Sequence, residues 1–402
     1  MGGLKPSNTS SLNEWLQWQE SLHSQVIDLD LSRVNKVYSI LFPNGVPFKV
    51  ITVAGTNGKG STIAFINNIY QQSDNTVGTF TSPHITKYNE RFAINGENVN
   101  DNTICHAFNK IEHIRGNISL TYFEFSTLAA LIIFSINKVD IAVIEVGLGG
   151  RLDSVNIVDP DVSVITNIDI DHVDYLGNTR ELIGLEKAGI MRPNAPCICG
   201  DSDPPKSISE HARVIGTKVT FVSSPYTGEI NLVGDYQRFN AAVAIKAVES
   251  LQTVIPVNEQ QIAKGIITTS LNGRFQVIKT EGKEIILDVA HNVAAIKVLA
   301  KELEKDNTDT LAIFSALKDK NIKSMIEAIR PSIGQWFLVP LNTERAISLT
   351  DLESIFDPTD RVKIHSDMNS AIGQAISSSR YHRIVIFGSF YTITDAFKVL
   401  NI

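Results

Sequence analysis

Lys49-Val-Ile-Thr-Val-Ala54 runs straight into Gly55-Thr56-Asn57-Gly58-Lys59-Gly60-Ser61-Thr62, after which apolar residues recur at Ile63, Ile66, Ile69 and Tyr70. A short apolar run, a glycine-rich turn and a helical period read as strand, loop and helix. The three glycines let backbone N–H groups approach an anion closely. The N-terminus of the following helix adds the positive end of its dipole. Lys59 offers a cation for the β- and γ-phosphates of a nucleotide, and Ser61 or Thr62 a hydroxyl. The spacing departs from GxxxxGK[ST], because Gly60 separates Lys59 from Ser61 and the first glycine stands nearer. The bland alternative is a tight turn between strand and helix.

Outward from this stretch, VGTFTS (77–82), DIAVIEVG (140–147) and DVSVITNI (161–168) are further strand candidates, and residues 124–136 read as a buried helix. Runs apolar on both faces, alternating with helical patterns, indicate a parallel sheet covered on both sides. The first 45 residues read as two helices. Ser11-x-x-Glu14 is a capping-box pattern beside Leu12, Trp15, Leu16 and Leu22, and a second period runs through Leu31, Val34, Val37, Tyr38 and Leu41. After Gly273, strand-like runs start at residues 284, 311, 336, 362 and 383, about one β-plus-α unit apart. The expected fold is therefore α/β, with a larger N-terminal nucleotide-binding domain over 1–272 and a smaller doubly wound domain over 281–402.

Composition sets the outer limits. The chain has 402 residues, 43% hydrophobic and 20% charged, with a net charge of −7. A core can form, and a nucleic-acid protein with a broad basic surface is disfavoured; a small basic pocket for an anionic metabolite is not. Cys105, Cys197 and Cys199 make no disulfide framework, and Cys197 and Cys199 lack a partner pair at zinc-like spacing, so buried thiols are expected there. The apolar stretch 128–136 falls far short of the ~20 residues a membrane helix needs. The start, MGGLKPSNTSS, lacks the apolar core of a secretory signal. Met1-Gly2-Gly3 invites a myristoylation reading, against which a flexible start fits better. A reducing cytoplasm is expected.

Ligands of parallel sheets gather at the carboxyl ends of the strands. Ser82 ends one strand candidate, Glu145 sits late in the next, and Asp169, Asp171 and His172 follow the third. A hydroxyl, a carboxylate and an imidazole could converge on one divalent ion, although magnesium prefers oxygen. The alternatives are an ion pair of Glu145 with Arg151 and a capped-loop role for His172. Gly147-Leu148-Gly149-Gly150-Arg151-Leu152-Asp153 is a second glycine-rich turn. Lys187, in LEKAG, reads locally as a solvated helix lysine. In the second domain Asp288, His291-Asn292, Ser315, Asp319-Lys320 and Gly388-Ser389-Phe390-Tyr391 lie at strand ends, with Arg274 just before; turn chemistry explains each equally well.

GTNGKGST, TSPHITKYNERF, LTYFEFSTL, EVGLGGRLDSVN, DIDHVDYLG, EKAGI, GRF, DVAHN and GSFYT occur in this order from about Leu12 to Tyr391. Together they resemble the folylpolyglutamate synthase/dihydrofolate synthase family of muramyl-ligase-like ATP-dependent amide ligases, in its bacterial bifunctional form. The resemblance implies an N-terminal P-loop-type ATPase domain, a C-terminal Rossmann-like domain and an active site in the cleft between them. It implies ATP on Gly55, Thr56, Asn57, Gly58, Lys59, Gly60 and Ser61, met by Asn240, Arg274 and Asp288. Magnesium, as two ions, would be held by Ser82, Glu145 and His172, with Lys187 carboxylated on its amine. His291 would lie by the phosphate and amino-acid end, so that Lys59, His172, Lys187 and His291 are the expected catalytic groups. Thr121, Tyr122, Phe123, Glu124, Leu152 and Asp153 would line or border the pterin pocket, with 27–34, including Asp28, folded over it. The implied reaction is ATP-dependent ligation of L-glutamate to dihydropteroate and to tetrahydrofolates through an acyl phosphate. No nucleic-acid or membrane partner is implied, and a monomer is expected. The rivals are a monofunctional glutamate extender, a ligase acting on cell-wall precursors, and a non-enzymatic ATP-binding module.

Overall fold

A computed structural model describes residues 5–7, 9–280, 282–306 and 308–402. Met1-Gly2-Gly3 and Glu281, on which the myristoylation reading and the expected domain limits fall, lie outside the described residues. The chain forms two compact units. One comprises Met1–Asn231 with Gln237–Thr269, and the other Leu232–Tyr236 with Ser270–Ile402.

The larger unit holds an eight-stranded sheet: β1 (Lys49–Ala54), β2 (Val77–Phe80), β3 (Phe92–Ile94), β4 (Glu97–Asn98), β5 (Ile141–Glu145), β6 (Val162–Ile165), β7 (Cys197–Cys199) and β8 (Val219–Phe221). Their spatial order is β4-β3-β2-β5-β1-β6-β7-β8. The six from β2 to β8 in that order are parallel, and the β3-β4 hairpin is antiparallel. β1 is buried on both faces from Val50 onward, as its unbroken apolar run requires. The helix Tyr122–Ile136 is apolar nearly all round and packs inside the core, with Phe125 and Phe134 fully buried. The helix Leu12–Glu20 starts on the expected capping box, in which Ser11 N–H donates to Glu14 Oε2 at 2.6 Å. Its Trp15 packs on Phe108 and Phe125. No strands were expected around Asn95-Gly96, yet both residues take positive φ and turn the β3-β4 hairpin, a turn that Asn-Gly favours. Cys197 and Cys199 are buried on β7, where burial pushes both thiols up, to about 12 and about 11.

The smaller unit holds a six-stranded sheet: β9 (Gln276–Thr280), β10 (Lys283–Leu287), β11 (Thr310–Phe314), β12 (Gln335–Leu338), β13 (Val362–Ile364) and β14 (Arg383–Phe387), in the order β13-β12-β11-β14-β10-β9. Only β9, at one edge, is antiparallel. Trp336, Phe314 and Phe387 anchor its core. The α/β class and both sheets agree with the sequence reading.

Candidate active site

Register brings the chemistry-bearing strand ends level. Val53 pairs with Glu145, Ala54 with Ile165, and Phe80 with Ile144. Gly55 leaves β1 at φ 150, and a Cβ there would stand 1.8 Å from Thr166 Oγ1, so no other residue fits. Gly58 has φ 83, and a Cβ would stand 2.6 Å from Asn240 Oδ1, which places Asn240 directly against the loop. The amides of Thr56 and Asn57 are taken by Asn167, whose backbone oxygen and side-chain Oδ1 accept from them at 2.9 and 2.7 Å. The loop is thus clamped to the chain leaving β6. The amides placed for an anion are those opening the helix Lys59–Gln71, where the first turn has no intrahelical acceptors.

Lys59 is the hub of the strand-end cluster. Its Nζ donates to the Gly55 carbonyl at 3.0 Å and lies 3.9 Å from Glu145 Oε1. Glu145 is 6% exposed, and its Oε2 accepts the Ser82 N–H at 3.0 Å. The expected alternative of a Glu145–Arg151 pair is not what forms: Arg151 pairs with Glu186 at 2.8 Å. Asp169 exchanges bonds with Thr56, its N–H donating to Oγ1 at 3.0 Å, which tethers the segment carrying Asp171 and His172 to the glycine loop. His172 sits at φ 52 with Nε2 3.9 Å from Asp171 Oδ2.

Lys187 contradicts its local reading as a solvated cation. It is 3% exposed, on the same face of the helix Arg180–Ala188 as buried Ile183. Burial, then the Lys59 charge, hold its amine down at about 7, against the opposing pull of Asp171 and Asp153.

Four of the residues expected at a pterin, Thr121, Tyr122, Phe123 and Glu124, stand at one helix start. Thr121 caps the helix Tyr122–Ile136: Glu124 N–H donates to Thr121 Oγ1 at 3.2 Å, and Thr121 N–H to Glu124 Oε2 at 2.7 Å. The Phe123 ring stands over Gly147, where a Cβ would meet it at 2.6 Å, and packs against Phe80. Glu124 and Asp153 are both buried, and desolvation pushes both carboxyls up, Asp153 to about 6. Asp153 has its oxygens on the amides of Leu148 at 2.7 Å and Val155 at 3.0 Å, so it braces the second glycine-rich turn and sets the position of Leu152.

In the smaller unit, buried Asp288 accepts from Phe275 N–H and Ala290 N–H, each at 2.8 Å, which is turn chemistry as well as a placed carboxylate. Burial pushes it up, against the Arg274 charge. The Arg274 guanidinium lies over the Phe390 ring at 5.4 Å, and the His291 ring lies 5.8 Å from the same ring. His291 Nδ1 is 2.8 Å from the Val289 carbonyl. Arg274, Asp288 and His291 therefore share the end of β10 and β14.

Two neighbours of the site were not singled out in the sequence, though both stand in TSPHITKYNERF. Arg91 Nε donates to His84 Nδ1 at 3.0 Å, and its guanidinium lies over Tyr88 and Tyr122. It joins the turn after Ser82 to the wall that carries Tyr122. Burial, then Arg91, hold the His84 imidazole down at about 4. Among the described residues no group of three or more His, Cys, Asp or Glu side chains could by itself hold a metal. No helix is long and apolar enough to cross a membrane, among the described residues.

Residues 53–278 match the Mur ligase middle domain, and residues 273–390 the Mur ligase, glutamate ligase domain. A dihydrofolate synthase/folylpolyglutamate synthase of Escherichia coli is 36% identical, over 98% of this chain and 97% of its own. One of Haemophilus influenzae is 35% identical over 100% of each. Among solved structures, Escherichia coli FolC in complex with DHPP and ADP superposes with a TM-score of 0.92 at 34% identity, over 99% of both chains. A bifunctional folylpolyglutamate synthase/dihydrofolate synthase with Mn, AMPPNP and L-glutamate bound superposes with a TM-score of 0.89 at 35% identity, over 99% of this chain and 100% of that one.

Proposed function

The chain belongs to the folylpolyglutamate synthase/dihydrofolate synthase family of Mur-type ligases, and from that premise we infer that it is an ATP-dependent ligase joining L-glutamate to dihydropteroate and to tetrahydrofolates. The observation that carries this reading is the approach of Lys59 to Glu145 at the level strand ends beside a clamped glycine loop, with the Lys187 amine buried within reach of the Lys59 charge. The ligands named for the related structures, ADP, AMPPNP, Mn, DHPP and L-glutamate, are of the classes this cluster suits.

A carboxylate and an amine do not condense unaided, because the carboxylate oxygen is a poor leaving group. In the proposed sequence the pteroate or folate carboxylate attacks the γ-phosphorus of ATP, ADP departs, and an acyl phosphate results. The neutral amine of glutamate attacks the acyl carbon, phosphate leaves, and the amine loses its proton. The loop 55–61 cradles the nucleotide, with Gly58, Lys59, Gly60 and Ser61 presenting amides, and Thr56 and Asn57 holding the loop's shape. Lys59 offsets charge gathering on the transferred group. Asn240, beside Gly58, meets the nucleotide with Arg274 and Asp288. His291 serves the phosphate and amino-acid end.

The donor set of Ser82, Glu145 and His172, a hydroxyl, a buried carboxylate and an imidazole, fits a divalent cation, which when bound supplies further charge neutralisation. A lysine amine held near 7 is substantially uncharged near neutral pH, and an uncharged amine takes up CO2 with loss of a proton. Carboxylated in this way, Lys187 becomes an oxygen donor, and a second ion would sit with it. Tyr122 and Phe123 give a flat pterin an aromatic wall, and Leu152 and Asp153 border it. Residues 1–272 and 281–402 divide the work as ATPase and Rossmann-like domains, in a cytoplasmic monomer.

Phosphate release tests the reading. ATP with dihydropteroate and glutamate should yield phosphate, and so should ATP with tetrahydrofolate and glutamate. Release with the second pair only would leave a glutamate extender; release with neither would refute both activities.

A further inference from the structure

A closed polar network ties the N-terminal segment to the start of the helix Tyr122–Ile136. Arg33 Nη2 lies 3.2 Å from Glu124 Oε1, while Glu124 Oε2 is engaged with the Thr121 amide. Arg33 Nη1 lies 2.7 Å from Asp28 Oδ2 and 3.5 Å from Asp30 Oδ2, and Nη2 donates to the Asp28 carbonyl at 3.3 Å. His23 Nε2 stands 3.1 Å from the same Asp28 oxygen. Its Nδ1 is 2.7 Å from Ser119 Oγ, and that hydroxyl donates to the Leu22 carbonyl at 3.0 Å. Residues 22–33 are thereby fastened at two points to residues 119–124.

Stability is a poor account of this arrangement. Only the Glu124 carboxylate is deeply buried; Arg33, Asp28 and Asp30 keep side-chain exposures of 19%, 28% and 47%, and ion pairs that stay partly in water contribute little to stability. The helix Ser32–Leu41, which carries Arg33, is already held in the apolar core by buried Val34 and Val37. Arg33 Nε is buried without an acceptor, which is a cost. A polar network can instead fix the register of the segments it joins. Its members include Asp28, Thr121 and Glu124, three of the residues placed at the pterin.

We propose that Arg33 is a positioning residue for the pterin-bearing substrate: its forked contacts to Asp28 and Glu124 lock segment 27–31 against the Thr121–Glu124 wall and so set the shape of that pocket. This rests on the functional reading above. Arg33 acts through its neighbours, away from the reacting atoms, so its loss weakens substrate binding more than it slows turnover.

Steady-state kinetics of Arg33→Gln, Arg33→Lys, Glu124→Gln and the Arg33→Gln/Glu124→Gln double variant test this. Gln is accepted at the third position of a capping box, so Glu124→Gln removes the charge pair while keeping the cap. Arg33→Gln should raise KM for dihydropteroate by about tenfold or more, with a smaller change in kcat and in KM for ATP. Arg33→Lys should restore part of the loss, since lysine keeps the charge without the planar fork. In the Glu124→Gln background, Arg33→Gln should have a much smaller effect than in the parent. A parent-like KM for dihydropteroate in Arg33→Gln overturns the proposal, as does an equal rise in KM for ATP. Should Arg33→Gln fail to fold, a parent-like KM in the milder Arg33→Lys and in Glu124→Gln overturns it equally. A parent enzyme that does not turn over dihydropteroate overturns the functional reading itself, and this proposal with it.

Discussion

Lys187→Ala should lower ligation by on the order of 10³-fold, and formate or acetate should restore part of the lost rate. Lys187 is buried, and burial and the Lys59 charge oppose its cationic form more than Asp171 and Asp153 favour it. As a cation it would stand beside Lys59, another cation, at the place where a triphosphate and its metal are proposed to meet. Carboxylation reverses the sign of that charge and turns a repelling group into an oxygen donor. A small carboxylate diffusing into the space left by the shortened side chain can replace the missing oxygens, which it could not do for a lost ammonium. Alanine is the best helix former, so the helix Arg180–Ala188 should persist. The measurement is the initial rate of phosphate release with and without added carboxylate. Turnover within about threefold of the parent, or rescue by small amines in place of carboxylates, would contradict the carbamate role.

Lys59→Ala should lower turnover by on the order of 10³-fold while leaving the fold intact. The ammonium contributes little to folding, since it donates to carbonyls of its own loop and lies outside hydrogen-bond reach of Glu145. The change also acts at a distance. Lys59 helps hold the Lys187 amine down, so its removal lets that amine rise and disfavours the neutral form that carboxylates. Lys59 equally helps hold Asp153 down, so this buried carboxyl should rise further. Circular dichroism should show a parent-like spectrum, and single-turnover phosphate release should be nearly absent. Near-parental single-turnover rates would refute the phosphate role.

The parts of this arrangement that were legible in the sequence are local ones. β1, β5, β6 and β14 announce themselves as unbroken apolar runs because they are buried on both faces. The capping boxes at Ser11–Glu14 and Thr121–Glu124 are spacings legible in the sequence, the second overlapping the expected substrate wall. Asn95-Gly96 is an equally legible signal for the β3-β4 hairpin turn. Lys187 lay within reach too, because it shares the inward face of its helix with Ile183 one turn earlier. The composition of LEKAG nevertheless points to solvent.

The rest depends on contacts between distant segments. Nothing near Arg33 reveals that its guanidinium meets Glu124. Nothing near Asn167 reveals that it occupies the amides of Thr56 and Asn57 and so leaves the helix-opening amides as those open to an anion. Nor does the sequence tell that the oxygens of Asp153 and Asp288 first serve the backbone around them.

A crystal structure of the protein with magnesium and a non-hydrolysable ATP analogue is the most direct measurement. The β- and γ-phosphates should rest against the amides of Gly58, Lys59, Gly60 and Ser61, with a metal ion bound by Ser82, Glu145 and His172. Phosphates seated away from that helix start, or a metal that none of those three side chains touches, would contradict it.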